Sequence, residues 1–121
     1  MKLVIVDDSN IIRSRIARIG LNPMMQGITI VGMAKDGHEA LEICRRHQPD
    51  VVTMDLTMPN MDGTECIELL INLQPSINIL VVSALSDKAT AIDALMKGAQ
   101  GFLYKPFTDE QLINALIELV E

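Results

Sequence analysis

Four apolar runs of this chain each lead into residues able to do chemistry. Asp7 and Asp8 follow Lys2–Val6, Asp55 closes Val51–Asp55, Ser83 closes Asn78–Ser83, and Lys105 closes Gly101–Lys105 just before Pro106. Singly, each is a common local device. Paired acids ahead of a helix cap it or face its dipole, and an Asp or Ser at a strand end makes a turn. Together they are unusual, because three converging carboxylates repel one another unless some are protonated or a cation sits among them. Hard oxygen ligands select Mg²⁺ or a relative such as Mn²⁺, an ion that binds through one or two carboxylates plus phosphate. With such an ion present, one carboxylate can act as nucleophile toward a phosphoryl group. The Lys105 ammonium and the Ser83 hydroxyl then suit the charge that develops on the phosphoryl oxygens. Asp55 is the candidate nucleophile, since it stands alone on the central strand and the Asp7-Asp8 pair faces it.

The elements that must bring these residues together are legible from pattern. Five apolar runs, Lys2–Val6, Thr29–Ala34, Val51–Asp55, Asn78–Ser83 and Gly101–Lys105, alternate with five amphipathic stretches. Most runs are rich in Val and Ile without polar alternation, as expected of parallel strands covered on both faces. Asp36 with Glu39, Asp62 with Glu65, and Thr108 with Gln111 have the spacing of capping boxes at three helix starts. Pro23, Pro49 and Pro75 lie just past three helix ends, and Gly98 can supply the left-handed cap of a fourth. The last helix is expected over Asp109–Glu121. Such alternation predicts an α/β fold with right-handed crossovers, and in an open parallel sheet ligands bind at the carboxyl ends of the strands.

Bulk properties narrow the functional classes. At 121 residues with 49% hydrophobic content, the chain is expected to form one domain over residues 1–121. A net charge of −6 argues against nucleic acid as a direct partner. No apolar run is long enough to insert in a membrane, and Asp7-Asp8 arrives too early for a signal peptide, so a cytoplasmic location is expected. Cys44 and Cys66 lie in apolar helical stretches without metal-ligand spacing and read as reduced core thiols, and the eight methionines read as core filler.

Asp7-Asp8 after an apolar strand, Met54-Asp55-Leu56-Thr57-Met58-Pro59-Asn60-Met61-Asp62-Gly63, Val82-Ser83-Ala84 and Lys105-Pro106-Phe107 together resemble the receiver domain of two-component response regulators (CheY-like). The resemblance spans the whole chain. It implies a single doubly wound, flavodoxin-like sheet of five parallel strands in order 2-1-3-4-5 with five helices. It makes Asp55 the phosphorylation site, with Asp8, Asp55 and the Thr57 backbone carbonyl as direct Mg²⁺ ligands and Asp7 acting through water. Lys105 contacts the phosphoryl group, Ser83 is the switch hydroxyl and Phe102 the switch aromatic. A cis peptide is implied at Lys105-Pro106. The donor would be the phosphohistidine of a sensor histidine kinase or a small acyl phosphate. The chain would catalyse only its own phosphorylation and dephosphorylation and is otherwise not an enzyme.

The expected output is an unknown protein docking on the face made by helix 4, strand 5 and helix 5, with Lys88, Ala91, Leu95 and Tyr104 as candidate contacts. Thr57 and Leu85 are the positions expected to tune hydrolysis. A monomer or a weak phosphorylation-dependent dimer is expected. The last helix carries no Lys or Arg, and Gly101 stands where receivers of the winged-helix DNA-binding subfamily usually carry an acid. A stand-alone chemotaxis-type regulator is therefore favoured, with the receiver half of a longer regulator as the alternative. Two readings of other classes fit less well. A flavin-binding module needs a Ser/Thr/Gly-rich phosphate loop where Asp7-Asp8 would repel the cofactor. A haloacid dehalogenase-like phosphatase needs a second Asp where Thr57 stands.

Overall fold

Valine and isoleucine favour the pleated, half-buried surface of a strand, and their runs here pair side by side. In the computed structural model, which describes residues 1–84, 86 and 88–120, the order is β1 (Lys2–Val6), α1 (Asn10–Ile19), a 3₁₀ turn (Pro23–Met25), β2 (Thr29–Ala34), α2 (Gly37–His47), β3 (Val51–Met54), α3 (Gly63–Leu73), β4 (Asn78–Ala84), α4 (Lys88–Met96), β5 (Gly101–Lys105) and α5 (Asp109–Val120). All neighbouring strands are parallel, in the order β2-β1-β3-β4-β5. This is the expected doubly wound arrangement.

Three boundaries differ from expectation. β3 stops at Met54, so Asp55 lies just beyond the strand, although its N–H still donates to the Val6 carbonyl at 2.9 Å. β4 runs one residue further, to Ala84, because β5 pairs with it along its whole length. Pro23 does more than end a helix: with Asn22 as cap it opens the 3₁₀ turn.

Side chains of alternate strand residues enter two cores, as the pleat requires. Val4, Val6, Val52, Met54, Ile79 and Val81 pack with Ala40 and Cys44 of α2, Ile67 and Leu70 of α3, and Ala91 and Ala94 of α4. Leu3, Ile5, Val51, Leu80 and Val82 pack with Ile16 and Ile19 of α1 and with Leu112, Ile113 and Leu116 of α5. Each such aliphatic side chain contributes about 2 kcal/mol when fully buried, so both faces of the sheet need a helical cover. Cys44 and Cys66 are buried, and burial pushes both thiols up to about 12, as unreactive core residues.

Helix ends follow the local chemistry. Asp62 accepts from the Glu65 N–H at 2.9 Å, and Thr108 and Gln111 exchange both bonds of a capping box. At α2, Asp36 accepts from the Glu39 N–H, but the Glu39 carboxylate returns to the N–H of Lys35 rather than to the cap. Gly98 (φ 122°) ends α4 in a left-handed turn, with Ala99 N–H donating to the Ala94 carbonyl and Gly98 N–H to that of Leu95. Among the described residues no helix is long and apolar enough to cross a membrane.

Candidate functional site

The carboxyl ends of β1, β3, β4 and β5 converge at one edge of the sheet. The β1–α1 loop turns sharply because Ser9 N–H donates to Asp7 Oδ1 at 2.9 Å, while Ser9 caps α1 by accepting from Ile12 N–H. Arg13 Nη1 donates to the Asp7 carbonyl at 2.7 Å. These bonds leave Asp7 buried and Asp8 exposed. Beyond β3, Gly63 opens α3 against the strand end. A Cβ there would lie 2.4 Å from the Asp55 carbonyl oxygen and 2.7 Å from Leu56 Cα, so only glycine permits this approach.

Asp7, Asp8 and Asp55 each offer a carboxylate oxygen within 4.8 Å of the others. Lys105 Nζ lies 2.8 Å from Asp7 Oδ2 and 3.4 Å from Asp55 Oδ1. The three carboxylates and the ammonium, four of the five groups expected to converge, therefore lie together. Burial, and then the charge of Asp7, push the Asp55 carboxyl up to about 7, against the pull of Lys105. Burial draws Lys105 down, but its hydrogen bond to Asp7 and the charges of Asp55 and Asp7 outweigh this and hold the ammonium above its ordinary range. One ammonium does not neutralise three carboxylates. Asp55 stays partly protonated near neutrality, and the oxygen-only donor set fits Mg²⁺.

Ser83 is buried at the end of β4, where its register partner is Tyr104; Val81 pairs with Phe102 one step away on the same face. The Phe102 and Tyr104 rings meet edge to face, with centroids 5.0 Å apart. Phe102 is 39% exposed and thus faces outward. Thr57 lies exposed in the loop after β3. Leu85 lies outside the described residues. The peptide bond between Lys105 and Pro106 is cis.

One expected docking contact is corrected. Ala91 is 1% exposed and packs into the core, because α4 turns its Ala91–Ala94 side toward the sheet. The accessible positions on α4 include Lys88, Ile92 and Met96, with Leu95 half-buried. Sequence reasoning also missed Arg13, Arg15 and Gly63. Gly63 follows the Asp62 cap and could have been read as a close approach; the arginines gave no sequence signal.

A family model described as the response regulator receiver domain matches residues 3–117. The chain is 36% identical to the chemotaxis protein CheY of Thermotoga maritima, covering 95% of this chain and 93% of that protein. It is 31% identical to the transcriptional regulatory protein LnrK of Bacillus subtilis, covering 97% of this chain but 52% of that one. Among solved structures, a crystal structure of the CheX–CheY–BeF₃–Mg²⁺ complex from Borrelia burgdorferi superimposes with a TM-score of 0.90 at 29% identity, covering 100% of this chain and 90% of that one. The strand order, the acidic cluster and these matches agree: the chain belongs to the response regulator receiver domain family.

Proposed function

We propose that residues 1–121 form one receiver domain that accepts a phosphoryl group on Asp55 and uses it as a switch in a phosphorelay. The observation that carries this reading is the cluster of Asp7, Asp8 and Asp55 within 4.8 Å, with the Lys105 ammonium against two of them. An Asp55 carboxylate oxygen attacks phosphorus, the bond to the donor's leaving group breaks, and that group departs with the electron pair. Asp8, Asp55 and the Thr57 carbonyl would hold Mg²⁺ directly and Asp7 through water, Mn²⁺ being the alternative. When bound, the ion supplies charge neutralisation among the carboxylates and at the phosphoryl oxygens. Lys105 moves from its contact near Asp55 onto a phosphoryl oxygen, and Ser83 donates its hydroxyl to another. Thr57 and Leu85 set the access of water to the product.

The donor is the phosphohistidine of a sensor histidine kinase or a small acyl phosphate. Ser83, drawn toward the phosphoryl group, vacates space into which Phe102 turns, altering the α4–β5–α5 surface that a partner protein reads. The CheY relatives favour chemotaxis-type output by docking, with action in the cytoplasm, as a monomer or a weak phosphorylation-dependent dimer. The half-length match to LnrK keeps open a second reading, the receiver half of a longer regulator. Intact-mass analysis after exposure to acetyl phosphate and Mg²⁺ tests the core of this reading. One added phosphoryl group, lost in Asp55→Asn, is expected; full labelling of the Asn variant contradicts it.

A further inference from the structure

Lys105 stands at the end of an edge strand, and its ammonium must meet a phosphoryl group in a defined place. The loop that follows it is tied to helix α1 by a side chain with no part in the site itself. The Arg15 guanidinium lies over the Phe107 ring, 4.5 Å from its centroid. The same group donates through Nη2 to the Phe107 carbonyl oxygen and sits 3.3 Å from Asp109 Oδ1. The ion pair alone is weak, because Asp109 is 64% exposed. The ring and carbonyl contacts are different, since Phe107 is buried at 3% and lies two residues after Lys105. Two positions further toward the N-terminus, Arg13 holds the Asp7 carbonyl. Residues two apart on a helix project about 200° from each other, so α1 reaches two separate loops at once. It therefore grips both sides of the Asp7–Lys105 ion pair, one through backbone at Asp7 and one through the loop behind Lys105.

We propose that Arg15 is a positioning residue that fixes the 105–109 loop and thereby places the Lys105 ammonium for phosphoryl transfer. The proposal rests on the reading of Lys105 as the phosphoryl contact. If Arg15 merely staples α1 to α5, its loss lowers the melting temperature and leaves the chemistry of the folded protein unchanged.

The test is a double-mutant cycle on phosphorylation rate, at saturating Mg²⁺ and acetyl phosphate and well below the melting transition. Wild type, Arg15→Met, Lys105→Ala and the double variant are compared, with Mg²⁺ affinity measured by calorimetry. Arg15→Met is expected to slow phosphorylation about three- to tenfold, because a displaced group loses its pre-organisation. Mg²⁺ affinity stays within about twofold, since Arg15 touches no metal-binding group, and the double variant is no slower than Lys105→Ala alone. Arg15→Lys recovers only part of the rate, since an ammonium keeps the cation but lacks the planar fork. A wild-type rate in Arg15→Met, or penalties that simply add with Lys105→Ala, would overturn the proposal. A normal rate in Lys105→Ala would instead overturn the reading of Lys105 on which it rests. Should Arg15→Met not fold, the same cycle run with Arg15→Lys carries the test, with a smaller but still non-additive penalty expected.

Discussion

Lys105 is bound more closely to Asp7 than to Asp55, with Nζ 2.8 Å from Asp7 Oδ2 against 3.4 Å from Asp55 Oδ1. Asp7 thus takes the shorter of the two lysine contacts, and the Asp55 carboxyl stays raised despite the pull of Lys105. A fully neutralised Asp55 would be a poor nucleophile, whereas an under-compensated one needs the metal.

The first prediction follows from that imbalance. The Asp55 carboxyl is raised from 3.8 to about 7, so the folded, metal-free protein binds the extra proton between those values. Stability therefore falls as pH rises through this window, and the penalty is fully present above it. Asp55→Asn is expected to stabilise the metal-free protein at about pH 8 by on the order of 2 kcal/mol, and hardly at all below about pH 4. Thermal unfolding of both proteins with chelator present measures the difference. Equal midpoints at the higher pH would mean that Asp55 is not destabilised there.

The second concerns the switch. The chain contains no Trp, so Phe102→Trp introduces a single tryptophan, selectively excitable at the red edge of the absorption band, at a position 39% exposed. Addition of Mg²⁺ and beryllofluoride, an acyl-phosphate mimic, is expected to blue-shift its emission as the ring turns inward, a shift of populations rather than a new state. Ser83→Val removes the hydroxyl proposed to couple the site to position 102 and is expected to abolish most of the shift. An unchanged response in the Val variant would uncouple Ser83 from position 102.

A third prediction tests the close approach of Gly63 to Asp55 and Leu56. Gly63→Ala puts a methyl group 2.4 Å from the Asp55 carbonyl oxygen, and the obstructing atoms include backbone that no rotamer change can move. A loss of about 3 kcal/mol, at the upper end for overpacking, is expected in chemical denaturation. The folded fraction is expected to label more slowly, because α3 and the acceptor segment must separate. A variant as stable as wild type would show that the approach is not tight.

Self-dephosphorylation provides the fourth. Leu85 cannot hydrogen-bond a water, so slow loss of the phosphoryl group is expected, and Leu85→Glu is expected to accelerate it by up to about tenfold, or 1.4 kcal/mol of barrier. Phosphate release after removal of the donor reads the rate. Equal rates, or a slower Glu variant, would move the control of water access elsewhere.

Much of this architecture is legible in the sequence. Strand runs, helix caps and the left-handed Gly98 depend on nearest neighbours along the chain, and these appear where expected. The meeting of Asp7, Asp55 and Lys105 could be anticipated because parallel strands carry their terminal residues to one edge. Strand ends were less legible: β3 stops at Met54, one residue before the expected end at Asp55, whose N–H still donates to the Val6 carbonyl. The return bond of Glu39 to Lys35 depends on how the chain enters α2, which spacing alone does not show. Arg15 was invisible because its contacts reach 92 residues along the chain to Phe107. Ala91 was misplaced because α4 has too weak an apolar stripe to reveal which side faces the sheet.

The central claim is that Asp55, and no other acid of the cluster, receives the phosphoryl group in a metal-dependent step. The direct measurement is peptide mapping after acetyl phosphate treatment and borohydride reduction, which converts an aspartyl phosphate to homoserine. Conversion at position 55 with Mg²⁺ present, and none with chelator, is the predicted result. Homoserine at position 7 or 8, or equal conversion at position 55 without metal, would contradict the account.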